Sequence, residues 1–469
     1  MKYKKNIEKV LTLILYLIYN ILIYLTLINF KHIDYEKWIN LAFYITISHI
    51  IITMISFKLI NINLFGISNI FILGSYIFHL GQIIIKGLNK NYSYNFEVSK
   101  IISSDIYIKS IIFSLITISM VSIGIMIANL IKKEVKEINY TINRDKYYGV
   151  VLTLGWTIIA ISLPLELYFS LMKLIVSSKS GYLDVLEVES SGILSQLARF
   201  HLIGVGLLIM GYSYNYRKSN FILVLYIIYS IITMLSGSRI YQITSTIILV
   251  YITFTVTNQK ISIYKTLKGI VILFIVAIFL NSLADIRAKG ISDISVLIES
   301  LKYNFENNPI YNILEELGGT IYTVCLVILN VPSTIMYSKG AQFITSFATI
   351  FPNVNGIFTE LNQYSNFVLS LDVAAIGGSY IAELYYSFKY IPYIIAIFIG
   401  FIVHKLSIKF DFYLKNFQFI KASYLIMPSF ALILWIRGSY LGIVRNSIWG
   451  IIIIYFLVKY LIKDKKYRI

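Results

Sequence analysis

The sequence predicts an all-α polytopic integral membrane protein of about twelve transmembrane helices, and three observations predict it. Apolar runs of about twenty residues recur from end to end, long enough to cross a hydrocarbon core of roughly 30 Å. Charged residues make up 14% of the chain, against roughly a quarter in a soluble domain. The lysines and arginines are not spread evenly but gather in alternate connections between the runs.

The first run, 10–30, follows Lys2, Lys4, Lys5 and Lys9. It is too long for the apolar core of a signal peptide and lacks a small-residue cleavage site, so it reads as an anchored first helix. Further runs lie near 39–57, 64–85, 107–131, 148–176, 192–214, 220–236, 240–257, 266–282, 378–403, 421–436 and 440–458. They leave no soluble domain over, so 1–469 is expected to form a single transmembrane domain. An even number of spans places both ends of the chain on one side.

The positive-inside rule says which side. The N-terminal segment, the turns 58–63, 132–147, 215–219 and 258–268, the loop 404–421 and the C-terminal tail together hold 24 of the 41 Lys and Arg but 6 of the 23 acids. The remainder holds 17 of each, so the whole net charge of +18 falls on the face assigned to the cytoplasm. This split also removes the nucleic-acid reading of a basic chain, because the charge faces lipid headgroups of the bilayer. The expectation is a multi-pass cytoplasmic (inner) membrane protein with both termini cytoplasmic.

One segment tests the count. Residues 313–331 are apolar enough for a further span but contain Glu315 and Glu316. If they crossed, Lys405, Lys409, Lys415 and Lys421 would move outside. The segment is therefore expected to be re-entrant or interfacial within one long external loop, 283–377. The same loop sets Ile294, Leu297, Ile298, Leu301 and Phe305 at helical spacing, with Asp293, Glu299, Lys302 and Asn304 opposite, as in a helix lying on a membrane surface. A loop of about 95 residues is far longer than a connector needs, and such loops usually carry function.

Only eight of the 41 basic residues are arginine, and Arg199, Arg239, Arg287, Arg437 and Arg445 fall on the outer side, each near a helix end. An arginine within a span costs roughly 2.5–3.5 kcal/mol on insertion scales. Guanidinium is always charged and matches phosphate oxygens bidentately, as lysine does not. A lysine-rich chain that spends its arginines outside points to a diphosphate bound at the outer leaflet, weighed against arginines that snorkel or pair with external acids. Arg437 and Arg445 flank a tight turn between the last two spans, and Arg239 follows Ser236-Gly237-Ser238.

Glu166, just after Pro164, and Glu383 are carboxylates within predicted spans, and acids there are candidates for a base or for partners of the arginines. Asp372 and Glu360 are weaker candidates. The acids Asp184, Glu187 and Glu189 read as a solvated turn. His32, His49, His79, His201 and His404 are scattered, and packing accounts for them better than catalysis. Asp-x-Asp, HExxH, Walker A and dinucleotide fingerprints do not occur, and Cys325 is the one cysteine, so neither a metal site, a cofactor nor an internal disulfide is expected.

Three segments in order carry a resemblance: SGSR opening a helix at 236–239, GGSYIAELYYSFKYIP from Gly377, and RGSYLGIVRNSIW from Arg437. With the long external loop between the first two, they resemble the Wzy-type O-antigen polymerases (oligosaccharide repeat unit polymerases). The match lies mainly in 236–450; the first half is similar in hydropathy and span count alone.

The resemblance implies a metal-independent glycosyltransferase with a GT-C-like helical fold. Its substrates would be undecaprenyl-diphosphate-linked oligosaccharides, with a flippase and a chain-length regulator of the same pathway as partners. It further implies that Arg239, Arg437 and Arg445 stabilise the departing diphosphate, with Glu383 as base or acceptor-positioning group. Arg287, Arg199, Gly377, Gly378 and Tyr385 would contribute to substrate binding. Two other functions compete. O-antigen ligases share the architecture but rely on a histidine in the long external loop, and 283–377 contains none. A transporter or flippase of twelve spans would show paired halves, and no internal repeat is evident.

Overall fold

The computed structural model describes residues 2–131, 144–180, 193–234, 239–257, 282, 298–299, 301–302, 309–351, 377–389 and 391–462. Its elements, in chain order, begin with α1 (Lys2–Asn29), α2 (Tyr35–Leu59), α3 (Ile67–Leu88), the short α4 (Val98–Ile101), α5 (Ser104–Leu130) and α6 (Arg144–Ser180). There follow α7 (Ile193–Ala198), α8 (His201–Gly211), α9 (Tyr216–Met234) and α10 (Arg239–Val256). The last third contains α11 (Pro309–Gly318), α12 (Ile321–Asn330), α13 (Ala341–Thr345) with a 3-10 turn at Ser346–Ile350, and α14 (Tyr380–Ser387). It closes with α15 (Pro392–Lys415), α16 (Phe419–Ser423), α17 (Ile426–Leu434), a 3-10 turn at Trp435–Arg437, and α18 (Tyr440–Leu461).

Among the described residues, twelve helices or runs of abutting helices are long and apolar enough to cross a membrane. Of the expected span 266–282 only Ser282 is described, and Pro309–Asn330 stands among the twelve by length and composition. The boundaries differ most at 378–403. There the chain forms short α14 and then restarts at Pro392, a residue preorganised for the first helical turn. The helix then runs to Lys415, so most of the expected loop 404–421 is helical.

Helix α5 is largely buried among its neighbours, whereas α1 is largely exposed. The outward rows of α1 (Leu11, Leu15, Ile18, Leu22, Leu25) are exposed, an arrangement suited to lipid tails. Apolar attraction cannot hold helices together in lipid, so close backbone contact does, and small residues permit it. Gly124 of α5 and Gly400 of α15 lie so near the facing backbone that a Cβ on either would collide, with Ile397 O and Val121 O respectively. Gly400→Val is expected to force the two helices apart. The loss should be about 1–3 kcal/mol or more, read as a lower Tm in detergent and a poorer yield of monodisperse protein.

Helices α5 and α15 run parallel. Phe113 meets Tyr393 near their starts, and Asn129 meets His404 further along. The far end carries the basic turns: Asp411 accepts from Asn63 (3.1 Å) and from Tyr251, and lies 3.9 Å from Lys415. The opposite end gathers Arg199, Arg239, Arg437 and Arg445, at the start of α8, the start of α10, the close of the 3-10 turn and the first turns of α18. We call these the basic end and the arginine end.

The pair α11–α12 makes its contacts with the arginine-end halves of its neighbours. Gly318 packs on Gly81 and Gln82 of α3, where a Cβ on Gly318 would stand 2.6 Å from Gln82 N. Glu315, buried, accepts from Tyr92 Oη (2.8 Å) and Phe96 N (2.6 Å) in the connection after α3. Tyr322 stacks edge-on against Phe96, and Thr323 donates to Gly377 O (2.7 Å). Of the amphipathic segment expected at 293–305, only 298–299 and 301–302 are described, and they are helical.

The connection after α3 carries a titratable lock. Glu97 pairs with Lys86 (2.6 Å) and Lys100 (2.9 Å) and accepts from Ser99 (2.8 Å). Burial pushes its carboxyl up, but the hydrogen bonds from Lys86, Lys100 and Ser99 outweigh it and leave it below its ordinary 4.5. A lowered carboxylate pKa means the unfolded chain binds the proton more readily, so this stabilisation is complete above about 4.5 and fades as pH falls through the folded value. Glu97→Gln should flatten the fall of Tm as the pH drops below about 4.5, as read by thermal unfolding in detergent.

Candidate active site

Four helix ends converge to make the site. Arg239 is the first residue of α10 and is buried. Positive charge at a helix N-terminus opposes the helix dipole. It is met by Glu316 of α11, whose Oε2 lies 2.9 Å from Arg239 Nη1. Sequence reading noticed Glu315 and Glu316 as acids in an apolar run, without assigning the second as an arginine partner.

Arg437 closes the 3-10 turn and lies flat over Gly377: a Cβ there would stand 2.8 Å from its Nε. Gly378 packs as tightly on the backbone of Gly438. The paired glycines thus let the strand-like segment before α14 dock directly on the arginine turn. Ser379 caps α14 by accepting from Ala382 N (3.2 Å), and His79 meets its hydroxyl at 2.7 Å.

Glu383 completes this junction. It is 2% exposed and accepts from the Trp435 indole N–H (2.6 Å) and from Tyr440 N (3.0 and 3.1 Å). Ser439, the N-cap of α18, makes no side-chain cap of its own, so a carboxylate from another helix satisfies that helix start. Both oxygens of Glu383 are engaged, and it brackets the turn bearing Arg437 and Gly438. Tyr385, two residues on, packs between Phe113 (5.2 Å) and Tyr337 (5.9 Å), on the other side of α14 and away from Glu383.

Arg445 sits two turns beyond Arg437, half-buried on α18. Its Nε is buried and has no hydrogen-bond partner among the described residues. Arg199, in the turn between α7 and α8, stands near enough for the two charges to repel. Arg199 donates to Asn446 Oδ1 (3.3 Å) and lies 5.9 Å over the Tyr241 ring. Asn446 also accepts from Gln196 (3.1 Å), which ties α18 to α7. Neither guanidinium has a carboxylate partner among the described residues, and Arg199 rests on a neutral amide, an arrangement suited to an anion.

A cavity of about 180 Å³ opens beside Arg199, lined also by Glu166, Lys173, Thr233, Tyr241 and Gln242. Glu166 Oε1 accepts from Ser170 Oγ (3.2 Å) and Tyr229 Oη (2.9 Å). Sequence reading missed Lys173, Tyr241, Gln242 and Asn446; a lysine inside a predicted span was the one available signal. Four of the five histidines are built into packing: His79 on Ser379, His49 between Asn20, Ser119 and Tyr76, His201 against Ala198 O and Tyr226, His404 between Ser68 and Asn129, whereas His32 is exposed. No group of three or more His, Cys, Asp or Glu that could hold a metal occurs among the described residues. Arg287, Glu360 and Asp372 lie outside them, as do Asp184, Glu187 and Glu189.

The family model for the O-antigen polysaccharide polymerase Wzy matches residues 2–466, nearly the whole chain. The chain belongs to this family. No curated protein and no solved structure matches it. As a Wzy polymerase it is a multi-pass inner-membrane glycosyltransferase that polymerises undecaprenyl-diphosphate-linked O-antigen repeat units. The family match reaches well before 236, where the resemblance in motifs began. The first half thus belongs to the Wzy architecture, and it supplies Arg199, Lys173 and Glu166 to the arginine end.

Proposed function

We propose that the arginine end is the outer face of the membrane and that its guanidiniums hold the diphosphate of the growing glycan as it departs. The observation that carries this reading is that Arg199 and Arg445 stand at this end with no ion-pair partner among the described residues, Arg199 donating to the neutral Asn446 and the buried Nε of Arg445 unpartnered among the described residues. Fixed positive charge in a site of low dielectric stabilises charge that develops on a leaving group. Arg239 and Arg437 stand at the same end, the first held by Glu316 and the second by the glycine pair. On this orientation the basic end faces the cytoplasm with both termini, and α11–α12 is a re-entrant pair of the external loop 283–377, covering the lipid-linked substrate. On this reading a flippase would supply the repeat units and a chain-length regulator would act on the product.

The test is inhibition by the released product. Undecaprenyl diphosphate should inhibit glycan-ladder formation by the purified protein, and Arg199→Gln and Arg445→Gln should each raise the inhibition constant by about tenfold or more, as expected for a lost charge-assisted hydrogen bond. Unchanged inhibition in both folded variants would remove the pair from the diphosphate site.

A further inference from the structure

The polymerase reaction needs a group to accept the proton of the attacking sugar hydroxyl, and the resemblance in motifs offers Glu383 for it. Glu383 cannot reach a substrate as it stands: it is enclosed, and both its oxygens are taken by Trp435 and Tyr440. Glu316 is held by Arg239, and Glu315 by Tyr92 and Phe96. Glu166 differs from all three. It borders the cavity that Arg199 also borders. Its two hydrogen bonds both go to Oε1, which leaves Oε2 without a partner among the described residues.

The walls around it suit a hydroxylated ligand. Tyr241 Oη and Gln242 Oε1 are buried and have no hydrogen-bond partner among the described residues. Lys173 and Thr233 line the same space. The cavity, at about 180 Å³, is many times the roughly 10–15 Å³ that one water needs by the same measure, so a sugar hydroxyl and its neighbours have room. Pro164 stands two residues before Glu166 inside α6, and proline removes a helix hydrogen bond at such a point.

We propose that Glu166 is the general base of the transfer and that the cavity it borders takes the acceptor sugar of the incoming repeat unit. This rests on the reading of Arg199 and Arg445 as the diphosphate site. In the step, the acceptor O–H proton passes to Glu166 Oε2. The oxygen's electron pair forms the new bond to the anomeric carbon of the growing glycan. The bond from that carbon to the diphosphate oxygen breaks, and its electron pair leaves with undecaprenyl diphosphate between Arg199 and Arg445. Tyr229 and Ser170 hold the other carboxylate oxygen and so aim Oε2 into the cavity.

The test compares wild type with Glu166→Gln, which keeps the acceptor that Ser170 and Tyr229 use. Two quantities are read: the rate of ladder growth, and the inhibition constant for undecaprenyl diphosphate. The expected result is a fall of about 10²–10⁴ in rate with inhibition unchanged. A rate within tenfold of wild type overturns the proposal. A fall in both rate and product affinity also overturns it, because Glu166 would then act by shaping the arginine site. Glu166→Ala supplies a second reading: added formate should restore part of its rate, and no restoration in folded protein counts against a proton-accepting role. Failure of the diphosphate reading shows separately, as unchanged inhibition in Arg445→Gln.

Discussion

Replacing Arg445 by alanine is expected to slow polymerisation by about 10²–10³, the size of effect seen when one donor aimed at developing negative charge is removed. The leaving group is a diphosphate, and on the proposed reading its charge grows on oxygens held by Arg199 and Arg445. The buried Nε of Arg445 has no partner among the described residues, so alanine breaks no hydrogen bond seen there, and the fold should survive. Arg445→Lys restores the charge without the fork, and is expected to recover part of the rate and no more. The measurement is ladder formation from purified lipid-linked repeat units, with Tm in detergent as the control for folding. A rate near wild type for Arg445→Ala in folded protein would sink the assignment. Arg199→Ala should behave similarly but with a loss of stability, because Arg199 also ties α18 through Asn446 and packs over Tyr241.

Glu383→Ala is expected to be the most destabilising single change at this end. It strands two buried donors, the Trp435 indole and the Tyr440 backbone N–H. Each stranded donor costs about 1–3 kcal/mol. The start of α18 loses its carboxylate cap, and the turn holding Arg437 over Gly377 loses its bracket. Activity should therefore fall together with Tm. Glu383→Gln separates this positioning role from a base. The amide oxygen can still accept from one donor, so a bracket predicts a partial fall in Tm and a rate that follows the folded fraction. A base predicts near-complete loss of rate at unchanged Tm. The enclosure of both carboxylate oxygens favours the first outcome.

Much of the architecture was legible because membrane insertion acts on local sequence. A run of apolar residues must form its backbone hydrogen bonds within itself, so length and hydropathy alone mark helices such as Ile67–Leu88 and Ser104–Leu130. Residue type was equally direct for the arginines, since bidentate phosphate chemistry belongs to the side chain wherever it sits. The glycine pair 377–378 stood out in the motif, but that it packs on Arg437 and Gly438 was not legible there.

What sequence by itself determined was the all-α membrane class, the concentration of positive charge in alternate connections, and the set of arginines from which a site could be made. The tertiary structure alone decided which of them meet. Arg199 and Asn446 hydrogen-bond across 247 positions of chain, and no local pattern encodes that distance. The structure also divided the acids: Glu316 to Arg239, Glu383 to the bracket of the last turn, Glu166 to the rim of a cavity. In sequence all three are carboxylates in apolar surroundings. Their separate roles come from which donors surround each one, and a carboxylate's donors are chosen by packing between helices remote in the chain.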